Sequence, residues 1–300
     1  MTTLAIRPFS VRDHVASAVW LVPPVIAAAV AGLGLDPWLA MVGISFSIYG
    51  FFKWLSWTGT PTVGRDWDRP SAWRYMLLWP GMDPAPFRSP AESVARPAAV
   101  EWLGAVAKAA LGVLLVWSVA GRTPVDNVFA RGWIVLLGLG LTLHCGLFHV
   151  LALAWRAKDV PVNPIMNAPS LAHSPTDFWG RRWNLAFRDL AHRFVFRPCL
   201  ARFGPAGASR MAFLFSGLVH ELAISVPAQG GYGMPLLYFL IQAIAVETER
   251  SILGRRLGLR RGWRGRSYAA LVVVGPAGLL FHRPWFENVV LPMAHAIGAI

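Results

Sequence analysis

The chain of 300 residues is 55% hydrophobic and only 14% charged, with a mean hydropathy of +0.48, which excludes an ordinary soluble domain. Its formal net charge of +13 sits between apolar runs and not on one basic domain, which argues for a membrane surface and against nucleic acid as partner. Cys145 and Cys199 lie far apart, with no CxxC or Cys/His cluster, so neither a disulfide framework nor a metal site is expected.

A helix that crosses a bilayer needs roughly 20 mostly apolar residues. The first run, 15–33, follows a basic start at Arg7 and Arg12; its length, and the runs after it, favour a span over a cleaved leader. Further runs cover 38–57, 100–119, 133–155 and 211–228. Three shorter ones, 234–246, 268–281 and 285–300, span only if flanking Tyr, Trp and Arg side chains reach the interface or the bilayer thins. The expected fold is an all-α integral membrane protein of about eight transmembrane helices, one polytopic domain over 1–300.

Charge supports that count, since cytoplasmic loops carry the excess Lys and Arg. Two basic residues precede the first run, six lie from Lys53 to Arg96, nine from Arg156 to Arg210 and seven from Arg250 to Arg266, all on one side of an eight-span arrangement. The expected setting is a bacterial inner membrane with both termini cytoplasmic.

Two of these basic segments read as more than connections. The stretch from Met76 to Pro84, within 58–99, has the aromatic, Pro and Gly content of a folded interfacial segment. In 156–210, Ser174-Pro175-Thr176-Asp177 reads as an N-cap, a first-turn proline and an acidic first turn. An amphipathic interfacial helix over 178–197 should follow, with Trp183, Phe187, Leu190 and Phe194 on one stripe, Asn184, Arg188 and His192 beside it, and Pro198 ending it.

Titratable groups inside apolar runs are functional candidates because a bilayer core penalises them. His220 and Glu221 lie mid-run, His144 and His149 in the fourth run, and Lys108 and Glu247 toward run ends. An intramembrane histidine also serves simply as a helix-to-helix hydrogen bond. For His220 that reading is weaker, because Glu221 adjoins it and Ser216 and Gly217 leave room on its face. Burial would keep its imidazole neutral and able to deprotonate an alcohol, while an amide such as that of Asn184 polarises an acyl carbonyl or orients the ring.

Phe178-Trp179-Gly180-Arg181-Arg182-Trp183-Asn184, followed by Ser216-Gly217-Leu218-Val219-His220-Glu221, resembles the paired motif of the membrane-bound O-acyltransferase superfamily, in its wax synthase-like branch. The resemblance covers 160–242 and departs from the sterol and glycerolipid enzymes at Gly180-Arg181-Arg182. It implies transfer of a fatty acyl group from acyl-CoA, a substrate and not a cofactor, to the hydroxyl of a lipophilic alcohol. His220 would be the base and Asn184 its catalytic partner; Trp179, Arg181, Arg182, Trp183 and Arg188 would bind the donor, with Glu221, Ser216 and His144 in support. Most of the loop arginines equally suit anionic membrane lipid. Oligomeric state is open. The competing readings are a proton-coupled transporter using His144, His149, His220 and Glu221, an inactive member of the same fold, and a metal-dependent lipid desaturase or hydroxylase. His144 and His149, five residues apart, share a face poorly for the last.

Overall fold

A computed structural model describes residues 11–59, 69–88 and 94–300. Arg7 and the segment from Arg65 to Asp68 lie outside the described residues. Every regular element among those described is helical. In chain order they include α1 (Val11–Ala31), α2 (Pro37–Thr58), α3 (Arg69–Leu78), α4 (Ala99–Arg122), α5 (Val128–Arg156), α6 (Leu185–Ala228), α7 (Met234–Arg250), α8 (Gly262–Leu280) and α9 (Arg283–Ala296).

Each of the eight expected runs falls on a helix, but fewer helices are long and apolar enough to cross a membrane. Among the described residues α2, α4, α5 and α6 are, and α8 with α9 adds a fifth only if the pair, bent by 60°, is one span. The bend has a local cause: His282 caps α9 by accepting from the Trp285 N–H, and Pro284 follows inside its first turn, so the chain restarts a helix instead of continuing one. Where the sequence suggested two separate spans, the fold has one broken helical pair.

The segment expected as one interfacial helix differs too. Ser174 does cap a turn, its Oγ accepting from the Asp177 N–H at 3.2 Å. The helix then breaks at Trp183 and Asn184, restarts at Leu185, and runs through Pro198 instead of ending there. A proline removes one backbone bond and crowds the carbonyl four residues back. Here a widened π turn at His192–Phe196 accommodates that crowding. The real kink is at Gly204, φ 65° and ψ 179°, a conformation glycine tolerates and the following Pro205 favours over α.

The Met76–Pro84 stretch is folded, as its composition suggested. After α3 the chain leaves helical geometry, and three side chains take its carbonyls. Trp155 Nε1 donates to Leu78 O at 2.9 Å, Tyr49 Oη to Trp79 O at 3.1 Å, and Lys53 Nζ to Gly81 O at 2.6 Å. Lys53, near the end of the 38–57 run and counted there with the cytoplasmic charges, is 1% exposed inside α2, with its ammonium 3.3 Å from the Tyr75 ring centroid. The burial of Tyr75, Trp79, Met82 and Phe87 joins this segment to the core that α1, α2 and α6 form around Ile44, Phe52 and Phe215.

Candidate active site

His220 stands toward the C-terminal end of α6, packed against α7. Gly217, one turn earlier, permits that approach: a Cβ there would come within 2.8 Å of Leu236 Cδ1 and 3.0 Å of Leu236 Cα. Farther along the same pair, Arg210 on α6 binds both carboxylate oxygens of Glu247 on α7 through Nε and Nη2.

The imidazole's state follows from its contacts. Nδ1 lies 2.7 Å from the Ser216 carbonyl oxygen, which can only accept, so Nδ1 carries the proton and Nε2 presents a lone pair. The ring packs on Phe239 at 4.6 Å between centroids and meets Phe187 edge-on at 6.1 Å. A ring fixed as the Nδ1–H tautomer and walled by aromatics is equipped to take a proton at Nε2.

Ser216 therefore contributes its carbonyl, while its hydroxyl donates to Ala212 O. Glu221 does not reach the imidazole as a partner: Oε1 accepts the Leu236 N–H at 3.0 Å, capping the first turn of α7. Asn184 adopts φ 40° and ψ 62°, its Oδ1 accepting the Phe187 N–H at 3.2 Å and its own N–H meeting Met166 Sδ. It caps the start of α6, and the first turn it caps carries Phe187 to His220. His144 packs on Phe148, and His149 bonds to Lys108.

The residues expected at the donor end divide into two groups. Arg181, Trp183 and Arg188 line a cavity of about 1210 Å³, together with Trp79, Met82 and the 161–170 segment. Arg188 pairs with Asp189 at 3.0 Å, and Trp183 stacks on Phe178. Trp179 and Arg182 turn elsewhere. Trp179 points inward, donating from Nε1 to Gln242 Oε1 at 3.2 Å and packing on Phe213, Tyr238 and Phe239. Arg182 braces the loop, binding Asp177 Oδ2 at 2.7 Å and Ala168 O at 3.2 Å. Burial works against the Asp177 carboxylate, but the Arg182 guanidinium and the His173 N–H outweigh it and hold its pKa below the ordinary carboxylate value. His220 itself lines neither this cavity nor the smaller apolar one between α1 and α6 at Trp20, Phe215 and Leu218.

Sequence reasoning missed Phe187 and Phe239, which wall the imidazole, and Gln242, fully buried, which accepts from Trp179 and donates to Val272 O at 2.7 Å. For Gln242 a signal existed: an amide within an apolar run.

Residues 162–241 match the membrane bound O-acyl transferase family. That segment, about a quarter of the chain, is similar to the membrane-bound O-acyltransferases. Among curated proteins the chain is similar to the long-chain-alcohol O-fatty-acyltransferase of Simmondsia chinensis, 33% identical over 48% of this chain and 43% of that protein. It is similar also to the probable long-chain-alcohol O-fatty-acyltransferase 9 of Arabidopsis thaliana, 32% identical over 42% of this chain and 40% of the relative. Acyl-CoA–sterol O-acyltransferase 1 of Arabidopsis thaliana is 40% identical over 24% and 23%. The matched region thus covers about two fifths of the alcohol acyltransferases' length.

Proposed function

We propose that this multi-pass membrane protein transfers a fatty acyl group from acyl-CoA to the hydroxyl of a lipophilic alcohol, with His220 as general base. The observation that carries the reading is the 2.7 Å contact from His220 Nδ1 to the Ser216 carbonyl, which leaves Nε2 as the acceptor. The alcohol's proton passes to Nε2 as its oxygen attacks the thioester carbonyl; the coenzyme A thiolate leaves and is protonated in turn, giving an ester and a free thiol. No acyl-enzyme is required, since neither cysteine touches the histidine among the described contacts. Arg181 and Arg188 at the cavity wall suit the donor's phosphates.

The relatives, named for acyl transfer to a long-chain alcohol or a sterol, support this reading. The transporter reading finds less support. Among the described hydrogen bonds, those of His149 lead to Lys108 and those of His220 to Ser216, so the histidines form no relay.

Membranes carrying equal amounts of wild type and His220→Ala, given radiolabelled long-chain acyl-CoA and a panel of lipid alcohols, test the assignment. Wild type should make an ester, and His220→Ala should lose about 10²–10⁴-fold in rate, the usual worth of a positioned base. An unchanged ester yield in His220→Ala would sink the catalytic role.

A further inference from the structure

Helices α4 and α5 are joined by two polar rungs. Toward the start of α4, Glu101 Oε2 binds Arg156 Nη1 at 2.6 Å, with the Ala98 N–H donating to Glu101 Oε1. This rung neutralises itself. The second rung lies seven residues farther along each helix, at Lys108 and His149, two turns or roughly 10 Å deeper on the same faces. Lys108 Nζ lies 3.2 Å from His149 Nδ1.

This inner rung has one acceptor, and its own contact uses it. An ammonium cannot accept, so His149 Nδ1 accepts a hydrogen bond from Lys108 Nζ and the imidazole N–H sits at Nε2. The pair is left with two ammonium protons and one imidazole N–H, and a positive charge. Among the described residues no carboxylate is within ion-pair distance of Lys108, and Glu101 is committed to Arg156 and Ala98. A lone ammonium within an apolar span is costly unless an anion meets it.

The rung also opens onto space. Lys108 and His149 both line the 1210 Å³ cavity, larger than the ~300–1,000 Å³ of ordinary small-molecule sites. Below them on α5, at four-residue intervals, Cys145, Leu141 and Leu137 line the same cavity. The wall is therefore cationic at one level and apolar along a stripe beneath it, the pattern of a charged head with a tail.

We propose that Lys108 and His149 bind the anionic head of a single-tailed amphiphile, a carboxylate or a phosphate monoester, whose chain lies along Cys145, Leu141 and Leu137. The site shares the cavity of Arg181 and Arg188 but uses neither of them nor His220, so a binding readout at Lys108 tests it separately from acyl transfer.

The test uses the full chain in phosphatidylcholine nanodiscs, with a fluorescent polyene fatty acid as probe and its methyl ester as the uncharged control. Wild type and His220→Ala should both bind the acid about tenfold more tightly than the ester, as a charge-assisted contact requires. Lys108→Gln should erase that preference and Lys108→Arg restore most of it. Displacement at lower concentration by a single-tailed phosphate than by a saturated fatty acid identifies phosphate as the preferred head, and the reverse identifies carboxylate. Leu141→Trp, which fills the stripe and leaves the charge, should weaken acid and ester alike. Equal binding of acid and ester by wild type, retention of the preference in Lys108→Gln, or unimpaired binding in Leu141→Trp overturns the proposal.

Discussion

Asn184 lies at a left-handed backbone position that asparagine tolerates better than most residues, and its side-chain oxygen closes the first turn of α6, whose Phe187 meets the His220 ring. Its two possible roles separate by substitution. Asn184→Asp keeps a capping acceptor and loses the amide donor, whereas Asn184→Ala loses both and adds backbone strain. If Asn184 acts by positioning Phe187, Asn184→Asp should keep most of the wild-type kcat, while Asn184→Ala should lower the detergent melting temperature through a loss of about 2 kcal/mol. A folded Asn184→Asp enzyme with kcat as low as that of His220→Ala would instead assign the amide to the acyl carbonyl. At this scale the sequence revealed the polar residues well. His220 and Asn184 are conspicuous because bilayer segments penalise such groups. Phe187 and Phe239 were not, because an apolar side chain in an apolar run carries no mark of which neighbour it will touch.

The loop after α3 shows how an element outside regular structure is held. Its carbonyls at Leu78, Trp79 and Gly81 have no helix to satisfy them, and each meets a donor from α2 or α5. Lys53→Met removes one donor and should leave the Gly81 carbonyl short of a partner, at a cost of about 1–3 kcal/mol. The expected readouts are a lower melting temperature and new protease cleavage between Trp79 and Arg88. A variant that melts with wild type and resists protease there would show that Tyr49 and Trp155 suffice. The composition of 76–84 announced a folded segment, but nothing in the sequence announced Lys53 as its anchor. A lysine near the end of an apolar run looks the same whether it reaches out to water or inward to a carbonyl. The bend between α8 and α9 was hidden for a similar reason: apolar content counts toward a span regardless of the angle at His282 and Pro284.

Across the whole molecule, helix length and charge make separable statements. Among the described residues four helices meet the length and apolarity that a crossing needs, and α4 and α5 are consecutive members of that set, joined by the short turn at 123–127. If both cross, that turn faces the side opposite the segments before α4 and after α5. From the alternation of basic residues, the expectation is that 156–210 and 250–266 share one face, the cytoplasmic one. In a background where Cys145 and Cys199 are alanine, single cysteines at Val125, 73% exposed, and Trp263, 72% exposed, report the two faces. A membrane-impermeant maleimide should label Val125→Cys in intact cells and Trp263→Cys only in inverted vesicles. Labelling of both from the same side would mean that an odd number of crossings does not separate residues 125 and 263. The charge alternation would then reflect lipid contact at one surface and not the path of the chain.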